Sequence, residues 1–210
     1  MLVPPVLLSV IETITKMATL LGPTITKVAS SVIKIVGENL PKFTKLVESM
    51  SLISNILKPN EKAADLGAKA IIAEKTAEDF EQINDYIDYL KNDVEDAEPT
   101  LNEGADDITS CQAIGIAILL KCIGSELGCD ISLPFVHKLC ELDIEPNVIL
   151  TLSKIYSESK VNPEQVSDYI EGSLTLDEAN KHSECLLAAY QTAYPLMTKQ
   201  EAEQAVMKDF

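Results

Sequence analysis

An all-α fold is predicted for this chain by three observations. Apolar residues recur in alternating steps of three and four, as one face of a helix requires, and proline and Ser/Thr capping signals punctuate the chain at helix-length intervals. No stretch keeps the period of two of a half-buried strand, and neither Asn-Gly nor Asp-Gly occurs as a hairpin turn. With 210 residues, 46% hydrophobic and 24% charged, the chain can bury a core. The expected architecture is an N-terminal amphipathic helical arm or bundle over residues 1–94, an acidic linker over 95–107 and a compact, acidic multi-helix domain over 108–210.

The first elements rest on one seam. Leu7, Ile11, Ile14, Ala18, Leu21, Ile25, Val28, Val32 and Ile35 follow helical spacing. Gly22-Pro23 interrupts them, so two helices are expected, about 4–21 and 24–36, with Pro23 tolerated in the first turn of the second. Gly37 and Pro41 make another break, and Phe43, Leu46, Met50, Ile53 and Leu57 extend the pattern into a third helix. The opposite faces are mostly Thr, Ser and Lys. Many of these residues are β-branched, so packing or an interface, rather than propensity, must hold the helices.

Asn60 reads as the N-cap of a helix over about 61–74, and Thr76 with Asp79 as the start of one running to Val94. In the latter, Phe80, Ile83, Ile87, Leu90 and Val94 form an apolar stripe opposite a solvated acidic face. Residues 95–107, EDAEPTLNEGADD, carry six acids and no apolar period, as a linker would. Shorter helices are expected beyond it at about 107–127, 133–142, 146–159, 163–172, 176–194 and 199–209. Their starts are marked by Ser132, Pro146, Asn162-Pro163 and two capping boxes, Thr175 with Glu178 and Thr198 with Glu201.

Charge narrows the function. The formal net charge is -16, and all 17 basic residues are lysines. That excludes general nucleic-acid binding, which needs a phosphate-neutralising surplus, and excludes any arginine finger or clamp. The distribution is uneven: residues 1–58 hold six Lys and three Glu, net +3, whereas residues 59–210 carry -19. No run of about 18 uncharged apolar residues is found, so no transmembrane span is expected; the longest uncharged run, Ile108 to Leu120, ends at Lys121. The first eleven residues lack the lysine of a secretory signal, and five cysteines, an odd number confined to 111–185, do not form a disulfide framework. The compartment expected is the cytoplasm, export by a route without such a signal being the alternative.

Two coincidences carry chemistry. His137 precedes Cys140 by three residues, and His182 precedes Cys185 by three. Each pair shares a helical face, and the four side chains together would suit a tetrahedral zinc; the competing reading makes the cysteines small core residues and leaves the protein without a cofactor. Cys111 and Cys122 align with Ile114, Gly115 and Ile118 in what reads as a buried seam packed closely at Gly115. No GxGxxG, phosphate loop, GxSxG elbow or EF-hand is present, and no catalytic residue is expected.

The function expected is therefore that of a non-enzymatic assembly or adaptor protein. Leu7, Ile11, Ile14, Leu21, Ile25, Val28, Val32 and Ile35 would dock a protein partner or a second copy. The alternative is a membrane-active toxin or effector whose N-terminal amphipathic helices make peripheral contact with a bilayer. The chain has no Trp, and no Tyr or Phe before Phe43, so that reading lacks aromatic anchors.

Overall fold

The computed structural model describes residues 4–95 and 105–210, and every regular element among them is helical, as expected. The helices are α1 (Pro5–Lys16), α2 (Ala18–Val36), α3 (Leu40–Ile53), α4 (Ala63–Ile72), α5 (Ile83–Asn92) and α6 (Ala105–Leu127), followed by α7 (Leu133–Glu141), α8 (Pro146–Ser159), α9 (Val166–Ile170), α10 (Leu176–Ala193) and α11 (Lys199–Asp209). Short 3₁₀ turns occupy Gly37–Asn39, Ala77–Asp79 and Pro163–Gln165.

The chain divides into two compact units, Met1–Glu126 and Leu127–Phe210. The division therefore falls at the end of α6, not over residues 95–107. Residues 96–104 of that expected linker lie outside the described residues, and 105–107 already belong to α6.

The physical reason α6 joins the first unit is a backbone contact. A Cβ on Gly67 of α4 would overlap the Cys111 carbonyl of α6, and a Cβ on Gly115 of α6 would overlap the Ala63 carbonyl of α4. Ala63 and Gly67, like Cys111 and Gly115, are four residues apart, so two small-residue faces meet and the helices touch main chain to main chain. The close packing expected at Gly115 is this contact. From Cys111 to Gly124 only Gln112 and Lys121 of α6 are not fully buried, which is the environment an all-round apolar helix requires.

At the start of the chain, the expected helix over 4–21 is broken at Met17. The Thr13 and Thr15 hydroxyls donate to the Ser9 and Ile11 carbonyls, and the Met17 amide bonds both Thr13 and Ile14, tightening the turn and ending α1. Leu7 Cδ1 lies 3.7 Å from the Cβ position of Gly37, so α1 folds back along α2.

Within α2, Gly22 leaves the helix at φ 76°. The Thr24 amide just beyond it donates to Glu78 Oε1 at 2.9 Å, and the Glu78 carboxylate fills the space a Gly22 Cβ would need. A side chain 54 residues away thus caps the second half of α2.

Three further boundaries differ from expectation. α3 stops at Ile53, because Asn55 adopts φ 57° and the Ile56 amide turns back to the Ser51 carbonyl. Asn60 caps nothing: α4 starts at Ala63, whose amide donates to Glu48 Oε1 of α3 at 2.9 Å. Thr76 and Asp79 do form a capping box, but it opens only the 3₁₀ turn; Phe80 is extended and α5 begins at Ile83.

The second unit follows its sequence signals more closely. Ser132 accepts the Phe135 amide at the start of α7, and Thr175 with Glu178 and Thr198 with Glu201 close both expected capping boxes. Its core gathers on α10, which packs against α8, α9 and α11. Phe135, Leu139, Ile149, Leu152, Tyr156, Leu186 and Ala189 are fully or almost fully buried there.

Candidate functional site

The structure splits the expected docking seam. Ile14, Leu21, Ile25 and Val32 are wholly buried inside the first unit, so they are core residues rather than an interface. Leu7, Ile11 and Val28 are half-buried at its margin, and only Ile35 is exposed, at 38%. The seam carried one spacing across the expected break at Gly22-Pro23, and the structure adds a break at Met17; with the phase reset at both, Val10, Ala29, Ile33 and Val36 face inward as well.

A different apolar set faces solvent on α1–α3. Leu8, Leu20, Ile35, Leu52 and Ile53 are between 38% and 48% exposed. Lys16, Lys27, Lys34, Lys42 and Lys45 are exposed on the same three helices, and the exposed acids of this stretch are Glu12 on α1 and Glu38 on the 3₁₀ turn between α2 and α3. Two stretches, Ala18–Ile53 and Ile108–Leu127, are long and apolar enough by length and composition to cross a membrane. Geometry accounts for both differently: the first is broken at Gly22 and at the 3₁₀ turn Gly37–Asn39, and the second is mostly buried within the protein.

The histidine–cysteine pairs do not assemble into a zinc site. A structural zinc needs four ligands, and among the described residues no three His, Cys, Asp or Glu side chains are grouped to hold a metal ion. His137 and Cys140 lie on α7, where His137 Nε2 stands 4.0 Å from Glu141. His182 lies on α10 and is 1% exposed, with Nδ1 2.9 Å from the Tyr156 hydroxyl. Tyr156 meets its ring edge-on at 5.3 Å and Tyr169 stacks on it at 5.7 Å. Loss of hydration in this surround lowers the His182 pKa, so the ring is held neutral, with Glu178 and Asp168 opposing the effect.

Three of the thiols are held in the protonated form. All five cysteines are free. Burial pushes Cys122 up to about 12 and raises Cys129 and Cys185 as well, so these three remain protonated at neutral pH. Cys122 donates to the Ile83 carbonyl at 3.8 Å, tying α6 to the start of α5.

One cluster was not apparent in the sequence pattern. Phe80, assigned there to a helical stripe, instead precedes α5 and meets Tyr86 at 5.5 Å and Tyr89 at 5.4 Å. The Lys75 ammonium lies over the Phe80 and Tyr89 rings, 5.6 and 5.5 Å from their centroids. The available signal was composition: three of the six tyrosines and four phenylalanines fall between residues 80 and 89.

No protein-family model matches the chain, and neither a curated protein nor a solved structure matches it.

Proposed function

We propose that the protein is a non-enzymatic helical assembly or adaptor protein that docks a protein partner through the outward surface of α1–α3. The carrying observation is the split of apolar residues in this region. Ile14, Leu21, Ile25 and Val32 close the core, while Leu8, Leu20, Ile35, Leu52 and Ile53 remain exposed on helices that also carry exposed lysines. Exposed lysines and exposed apolar residues on the same helices suit a partner that presents acidic and apolar groups together, because lysines steer an acidic surface and apolar residues hold it. The protonated, buried thiols support a role without covalent catalysis, and five free cysteines support a cytoplasmic site of action.

The test places a photo-crosslinking residue at position 20 or 35 in cells that make the protein. The expected result is a discrete protein adduct that disappears when Lys27 and Lys34 are changed to Glu. An adduct at a multiple of the chain's own mass identifies the partner as a second copy. The same exposed lysines and apolar residues favour one rival reading, peripheral contact with anionic lipid. Co-sedimentation with anionic vesicles that depends on Lys27 and Lys34, with no protein adduct, replaces the adaptor reading by the membrane-active one.

A further inference from the structure

The segment from Lys75 to Tyr89 places aromatic rings where a cation rests on them. Phe80 and Tyr89 are half-buried and inclined at 35° to each other, a wedge of two rings, and Tyr86, fully buried, packs against them at 5.5 and 6.4 Å. The Tyr86 hydroxyl is itself buried without a hydrogen-bond partner. The wedge is held from both sides: Asp79 Oδ2 accepts from the Thr76 amide and hydroxyl at 2.7 and 3.0 Å, and Glu78 is fixed to the Thr24 amide.

Lys75 is exposed, yet its ammonium sits within 6 Å of two ring centroids and makes no ion pair with a carboxylate among the described residues. Ring faces attract positive charge through their quadrupole but offer no acceptor for N–H groups. A primary ammonium therefore gives up hydration there without full compensation, whereas a quaternary ammonium has no N–H to leave unpaired. Asp79 and Glu78, on the connecting turn, add negative potential to the region, and neither needs to touch the ligand.

We infer that the ring faces of Phe80 and Tyr89, backed by the buried Tyr86, hold a quaternary ammonium group, and that Lys75 is its tethered, displaceable occupant. This inference does not depend on the adaptor reading, since it uses different residues and a different ligand. The tethered lysine occupies the rings with a constant of about 2–5, that of an exposed cation–π contact, so it weakens binding by the intact protein and removal of its charge frees the ring faces.

The experiment titrates the full chain and its Lys75→Ser and Lys75→Gln variants with tetramethylammonium and with choline. Ring signals of the tyrosines are followed by NMR, and far-UV circular dichroism checks the fold. Both variants are expected to bind about three- to sixfold more tightly than the parent, the increase that releasing one tethered, exposed cation–π contact supplies. Phe80→Leu in the Lys75→Ser background keeps an apolar side chain but removes a ring face, and binding is expected to be lost. A neutral alcohol of the same shape as choline is expected not to bind.

No gain in either lysine variant, equal binding of the neutral isostere, or unchanged binding after Phe80→Leu overturns the proposal. Vesicles of phosphatidylcholine form a separate arm: co-sedimentation of Lys75→Ser identifies a lipid headgroup as the source, and binding of choline alone identifies a free small molecule.

Discussion

The two units start their helices in different ways. In the second unit, α7, α10 and α11 take their caps from the residue immediately before them: Ser132, Thr175 and Thr198. In the first unit, none of the N-cap residues of α1–α5 supplies a side-chain cap; α2 borrows Glu78 from 54 residues away, and α4 borrows Glu48 from 15. Local caps define a helix before it packs. Borrowed caps exist only after the chain has folded, so the boundaries of the first unit are consequences of its tertiary structure rather than instructions for it.

The strongest way to test that contrast is to charge the core of the first unit. Ile14 is 0% exposed, whereas Leu20, six residues on, is 45% exposed. Ile14→Asp is expected to cost about 3–5 kcal/mol, the order found for an uncompensated buried charge. Leu20→Asp is expected to stay within about 0.5 kcal/mol, as a surface change does. Denaturant unfolding followed by circular dichroism measures both. Equal stability of the two variants would show that the seam faces water and that the core assignment of α1 is wrong.

That pair also marks how far the sequence could be read. Helix class and the six helical stretches beyond residue 105 were legible, because Pro146, Gly128 and the Thr175 and Thr198 boxes act through neighbours in the chain. The first unit was legible in pattern but not in phase. Nothing local marks Met17 as a helix end, and nothing near Ala63 reveals that Glu48 caps it. The same limit applied to sites: equal spacing in His137/Cys140 and His182/Cys185 cannot say whether two helices bring the pairs together, and they do not converge on a metal. Phe80 escaped notice as part of a cluster because the Thr76–Asp79 box predicts a helix through it, and the chain is extended there instead.

A smaller effect is expected from exchanging one kind of cap for the other. Glu48→Ala removes the acceptor of the Ala63 amide and should cost about 1–2 kcal/mol, the upper range for losing a cap. Lys62, the residue at the N-cap of α4, already has the extended backbone, φ -123° and ψ 154°, that a capping serine adopts. Lys62→Ser in the Glu48→Ala background should therefore recover at least half of the loss, read as melting temperature and as slowed exchange of the Ala63 amide. Failure of the rescue would mean that Glu48 stabilises α3 against α4 by packing rather than by capping, and the contrast between the units would lose one of its two remote caps.

The smallest effect separates the units by pH. Both histidines of the chain, His137 and His182, lie in the second unit. His182 has a lowered pKa because burial among Tyr156 and Tyr169 strips hydration from the charged ring. The unfolded chain takes a proton at about pH 6.5, while the folded chain resists it, so the unfolded state binds more protons below that pH. Stability from this group is therefore fully present above about pH 6.5 and falls as the solution is acidified, with a slope of at most about 1.4 kcal/mol per pH unit. Asp79, Glu178 and Glu201 act in a separate, lower window: hydrogen bonds from Thr76, Thr175 and Thr198 lower their pKa values, so their contribution is present above the ordinary carboxylate range and lost below it. Between pH 7 and 5.5 the melting temperature should fall through His182, and His182→Gln, neutral and still able to pair with the Tyr156 hydroxyl, should flatten that slope. Amide exchange locates the effect: α10 should lose protection in this interval while α6 keeps it. A slope that survives His182→Gln would take the acid response away from His182, and a loss of protection that begins in α6 would place it in the first unit, where no histidine exists to carry it.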